Sequence, residues 1–76
     1  MIFLIDYDRL RGTLAHVETF ADSDRHTAEE SRLRAELTQY RKGIRREVVL
    51  LQAPSEQALR RTHRRYFVDI ASLAAS

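Results

Sequence analysis

Cysteine and tryptophan are absent from this 76-residue chain, which also holds only one proline and two glycines. Without cysteine there is no disulfide framework, no thiolate zinc site and no redox chemistry at sulfur. So little proline and glycine excludes a collagen-like or low-complexity chain. Long hydrophobic runs are missing too, since nothing approaches the roughly 18 apolar residues of a membrane span. The opening Ile2-Phe3-Leu4-Ile5 follows no basic stretch and leads straight into Asp6, so it does not read as a signal peptide. The expected setting is the cytoplasm.

What is present suits a single small domain over residues 1–76: 43% of the residues are hydrophobic and 32% are charged. A chain this short buries only about 60% of its unfolded surface and usually needs reinforcement. With disulfides and zinc fingers excluded, self-association is the remedy left. The net charge is +2 but its placement is uneven. Residues 41–65 carry eight basic side chains against Glu47 and Glu56, leaving five basic and nine acidic residues elsewhere. Such a division offers a basic region to an anion and an acidic region to a basic partner, or one to the other across a dimer.

Residues 2–7 are β-branched, aromatic and apolar at nearly every position, as in a buried strand. Residues 8–12 form a turn in which Gly12 supplies a positive φ, and residues 13–20 form a second, more polar strand antiparallel to the first. A helix is expected over about 24–42, capped by Ser23, Asp24 or Thr27, with Glu29 and Glu30 in its first turn and Gly43 as its stop. Its apolar positions Leu33, Leu37, Tyr40 and Ile44 make one narrow stripe. Residues 47–53 form a third strand, and Ser55 caps a second helix over about 56–74. The fold class is therefore α+β, in the order β-β-α-β-α. The most apolar strand belongs in the centre, so the sheet is antiparallel in the order 2-1-3, with two helices packed against it.

Alternate residues of a strand face opposite sides. Ile2 and Leu4 oppose Phe3, Ile5 and Tyr7, and Val48 and Leu50 oppose Val49 and Leu51, so neither strand has a wet face. Either the two helices take opposite faces or a second copy supplies the cover. The thin stripe of the first helix favours the second copy, and Phe3, Ile5, Tyr7, Val49 and Leu51 are the expected homodimer or partner face.

On the second helix the apolar arc takes in Leu59, His63, Tyr66, Phe67, Ile70, Leu73 and Ala74, with four arginines and Val68 on the other side. Arg45, Arg46, Arg60, Arg61, Arg64 and Arg65 are the candidate anion-binding set. The commoner reading of such a set is a solvated surface, and Tyr66 and Phe67 fall on the core side, where they would not stack on bases. His63 on the apolar arc reads as a hydrogen-bonded, largely buried imidazole. His26 with Glu30 is short of a metal set, His16 and Glu18 share one face of the second strand as edge strands do for solubility, and no serine or glycine-rich loop is placed for catalysis. The expectation is a non-catalytic interaction module without metal or cofactor, self-associating and binding another macromolecule. A small nucleic-acid-binding protein is the alternative, and an enzyme or small-molecule carrier with a pocket at the dimer seam around His16 or His63 comes last.

Overall fold

The computed structural model describes residues 1–44 and 46–67. In chain order these form β1 (Ile2–Asp8), β2 (Thr13–Phe20), a 3-10 turn (Asp22–Asp24), α1 (Arg25–Lys42), β3 (Glu47–Gln52), α2 (Glu56–Thr62) and a second 3-10 turn (Arg64–Tyr66). The three strands make an antiparallel sheet in the order β2-β1-β3. The α+β class, the β-β-α-β-α order and the central position of the most apolar strand are as the sequence predicts. Leu4 stands between Glu18 and Leu50, and Asp6 between His16 and Val48. The register with β2 then slips, so that Tyr7 pairs with Leu14.

Both expected left-handed glycines are found, Gly12 at φ 67 and Gly43 at φ 69. In the β1–β2 turn the Asp8 carboxylate accepts the amides of Leu10 and Arg11, which fixes the loop without a regular two-residue turn. At the end of α1 the Gly43 amide bonds to Tyr40 O and the Ile44 amide to Gln39 O, a Schellman closure. Ile44 thus lies past the helix rather than on its stripe. The start of α1 differs from expectation. The chain enters through the 3-10 turn at Asp22–Asp24, Asp24 makes no side-chain cap bond, and with Arg25 as the first helical residue Glu29 and Glu30 fall beyond the first turn.

The second helix is shorter than its periodicity suggests. Ser55 caps it as expected, its hydroxyl accepting the Ala58 amide at 3.1 Å, but regular helix ends at Thr62. The Thr62 hydroxyl bonds back to the carbonyls of Ala58 and Leu59, a contact that competes with the backbone ladder. His63 then leaves the helical region at φ −123, ψ 51. Residues 68–74 of the expected helix, with Val68, Ile70, Leu73 and Ala74, lie outside the described residues.

The two helical segments take opposite faces of the sheet. Leu59 and Tyr66, with Ala58 and Phe67, close over Phe3, Ile5 and Tyr7 in one hydrophobic core, to which Val49 and Leu51 add half-buried side chains. α1 crosses β1 and β3 on the other face, its Gln39 bonded to Asp6 and its Arg25 to Gln52. Phe3 and Ile5 are 1% and 0% exposed within the single chain, so the face expected to receive a second copy is closed by α2 and the turn that follows. α1 is also rotated from its expected pose. Ala28 is its one fully buried residue, while Leu33, Leu37 and Tyr40 are 53%, 47% and 84% exposed. Small side chains at 28 and 35 let the helix lie close to the bulky aliphatic strands, and Gln39 must face the sheet to bond Asp6.

Candidate functional site: a polar groove beside α1

Because α1 rests on β1 and β3, β2 is left uncovered on that side and a groove opens between them. Its volume is about 450 Å³. Leu4 and Asp6 of β1 contribute to its lining from the sheet, His16 and Glu18 from β2, and Arg34 and Lys42 from α1. Leu4 pairs with Glu18 and Asp6 with His16, so the strand register alone sets these four side by side. His16 Nε2 and Glu18 Oε2 are 3.9 Å apart, both largely exposed. The sequence reading placed these two on one face of β2, and the structure does so.

Asp6 is the unusual member, a buried carboxylate in the middle of an apolar strand. Its Oδ2 accepts from Gln39 Nε2 at 3.1 Å and from Arg46 Nη1 at 3.2 Å. Its Oδ1 is buried and receives no hydrogen bond among the described residues. A buried polar atom without a partner costs about 1–3 kcal/mol, which the two bonds to the other oxygen of the same carboxylate offset in part. The sequence reading used Asp6 only to end the apolar run. The signal was present, because a lone carboxylate between Ile5 and Tyr7 breaks an otherwise apolar strand.

The candidate anion-binding arginines are not gathered into one surface. Arg46 bonds Asp6 on the α1 side of the sheet. On the other side Arg65 bonds Glu47 and lies 4.2 Å from the Tyr66 ring centroid, and Arg60 pairs with Glu56 and lies 4.6 Å from that of Phe67. Arg61 and Arg64 are exposed and form no ion pair among the described residues, and Arg45 lies outside them. Stacking on an aromatic face and pairing with a carboxylate occupy guanidinium groups that would otherwise meet an anion.

The remaining histidines are accounted for locally. His63 is half-buried, its Nδ1 2.9 Å from the Thr62 hydroxyl and its ring stacked on Tyr66 at 6.4 Å. His26 forms an exposed pair with Glu30 at 3.0 Å. No three His, Asp or Glu side chains converge on a metal-sized site among the described residues. Asp22, beside the Met1 ammonium, has its pKa lowered chiefly by that hydrogen bond. Tyr66 has its pKa raised, first by burial and then by the neighbouring Glu47 carboxylate.

No helix among the described residues is long and apolar enough to cross a membrane. No family model, curated protein or solved structure matches the chain.

Proposed function

We propose that this protein is a non-catalytic interaction module whose partner is a second copy of itself, met through the outward side of α1. The observation that carries this reading is the exposure of Leu33, Leu37 and Tyr40 on one line of an 18-residue helix. Three such side chains make an apolar patch on the order of a few hundred Å², the size that on a small monomer is often functional. The sheet face expected to self-associate is enclosed, so pairing moves to this helix.

Charge supports a second copy as the occupant. In an antiparallel pair related by a twofold axis, the same flank of each helix meets the same flank of its partner. Glu30 and Arg41 lie on one flank of the stripe. Setting Leu33 of one copy on Leu37 of the other brings Glu30 level with Tyr40 and within one residue of Arg41, twice by symmetry. The area places this contact at the weak end of specific interfaces, below about 1,200 Å² in total, which suits micromolar association. A cytoplasmic setting belongs to the same reading and is supported by the cysteine-free composition.

Sedimentation equilibrium of the full chain from about 1 to about 500 µM tests it. The expected result is a monomer–dimer equilibrium that Leu37→Lys shifts to monomer. Glu30→Arg and Arg41→Glu each weaken it, and the two together restore it. A chain that stays monomeric throughout, or a dimer indifferent to Leu37→Lys, overturns the reading.

A further inference from the structure

β2 is an edge of the sheet, and its eight residues contain neither proline nor lysine, two of the devices that keep an edge strand from pairing. One device is present. The register slip leaves Ala15 without a partner on β1, so the regular edge runs only over residues 16–20. A strand added there gains a handful of backbone hydrogen bonds worth about 1 kcal/mol each, which falls short of the ordering cost of association, about 4–15 kcal/mol. A further bond is needed to hold it. His16 and Glu18 pair with Asp6 and Leu4, so both stand on the α1 side of the sheet. Their Nε2 and Oε2 atoms are 3.9 Å apart, on side chains that are 61% and 47% exposed. Ligands about 2.0–2.1 Å from a tetrahedral zinc ion lie roughly 3.3 Å from one another, so a small rotation of two solvated side chains closes this pair on one ion. A structural zinc site takes four ligands, and among the described residues no third His, Asp or Glu of the chain joins these two.

A second copy brings the other two. When two β2 strands pair antiparallel about a twofold axis at Val17, His16 of each copy stands opposite Glu18 of the other, all four on one side of the joined sheet. Centring the pair on His16 or on Glu18 instead sets like groups against each other. In the Val17 register, opposite residues are about 5 Å apart at Cβ, and the four side chains ring one point on the axis. We propose that β2 is a zinc-dependent docking edge for a second copy of this chain, with His16 and Glu18 of both copies as the four ligands. Imidazole beside carboxylate suits zinc, whereas calcium and magnesium take oxygen ligands. The two Glu18 carboxylates cancel the charge of the ion, so the assembled site presents no net charge to Arg34 and Lys42 across the groove. This edge is a different surface from the outer side of α1, and the proposal does not rest on pairing there.

The test uses the full chain carrying Leu37→Lys, which takes the outer side of α1 out of play, in sedimentation and titration calorimetry with either EDTA or zinc chloride. The expected result is a monomer in EDTA and, with zinc, a dimer that holds one ion per two chains. His16→Ala and Glu18→Gln change exposed side chains and leave the fold intact, and each weakens the zinc-induced dimer at least about tenfold. His26 and Glu30, 3.0 Å apart on α1, are the other imidazole–carboxylate pair that could take the ion. His26→Ala is therefore the control, and it leaves zinc-induced pairing unchanged. A dimer already formed in EDTA, zinc bound at one ion per chain without pairing, or pairing that survives His16→Ala each overturns the proposal. So does the absence of pairing at about 100 µM chain with half as much zinc.

Discussion

The phenol of Tyr66 donates its hydrogen bond to the Glu47 carboxylate, joining the 3-10 turn after α2 to the first residue of β3. The ring meets Tyr7 edge-on, 5.3 Å between centroids at 82°, so one side chain anchors the end of the helical segment to two strands. Ionising this phenol would place a negative charge in a buried site beside Glu47, which is why its pKa is raised above the ordinary 10.0.

A pH dependence follows from that direction. A raised pKa means the stabilisation by neutral Tyr66 is fully present below about pH 10 and is lost as pH climbs through the folded-state value. Tyr66→Phe removes both the hydrogen bond and the titration, so near neutrality it destabilises by about 1 kcal/mol. The gap between wild type and variant narrows above about pH 10. Urea midpoints of the two proteins, measured from about pH 7 to about pH 11, check this. A gap constant across that range means the phenol is not held neutral by its surroundings.

Leu59 tests which chain covers the sheet. It is fully buried against the core of Phe3, Ile5 and Tyr7, and Leu59→Ala is expected to cost about 2–4 kcal/mol, a large share of a small domain's stability. Leu37→Ala, on the open side of α1, changes stability by less than about 0.5 kcal/mol when measured at about 1 µM. Chemical denaturation of both variants gives the comparison. Equal effects would mean that the outer face of α1 is packed in the isolated molecule.

The contrast between these two leucines also shows what was legible in the sequence. The strands, their order and both left-handed glycines follow from β-branched runs and from the turn chemistry of Gly12 and Gly43, which is local. Two features are not local. Leu33, Leu37 and Tyr40 are the most apolar line on α1, yet the sheet is met by Ala28 and Gln39, because close approach and a partner for Asp6 outweigh hydrophobic spacing. Tyr66 and Phe67 continue the helical periodicity of Leu59, and spacing alone cannot tell a continuous helix from one broken at His63 that returns the same residues to the same core. Asp6 lies inside the strand expected over residues 2–7, and its two partners, Gln39 and Arg46, come from elements far along the chain, so nothing local marks its role.

Gly43 isolates a backbone effect. A Cβ built on it meets nothing within 4 Å, so Gly43→Ala carries no steric clash. Its φ of 69 nonetheless lies in the left-handed region that closes α1, and alanine there costs about 1 kcal/mol. Gly43→Asn, whose side chain tolerates that region, costs less. Thermal unfolding of the three proteins ranks them. An alanine variant as stable as wild type would mean that α1 ends elsewhere.

Asp6 gives the least intuitive expectation. Breaking a carboxylate–guanidinium pair from one side leaves the other charge stranded, so Arg46→Met, which leaves Asp6 buried with only Gln39, destabilises by about 1–2 kcal/mol. The figure is modest because Arg46 is partly exposed. Removing the carboxylate itself has the opposite consequence. Asp6 follows Ile2 and Leu4 along one side of β1 and pairs with Val48, so Asp6→Leu extends an apolar surface and abolishes the unpartnered oxygen. Gln39 and Arg46, both with some access to solvent, regain hydrogen bonds from water. The expected result is a variant at least as stable as wild type by urea denaturation. A group whose removal strengthens the fold is not kept for folding. A loss of more than about 2 kcal/mol in Asp6→Leu would instead make the Asp6–Arg46–Gln39 cluster a structural clamp.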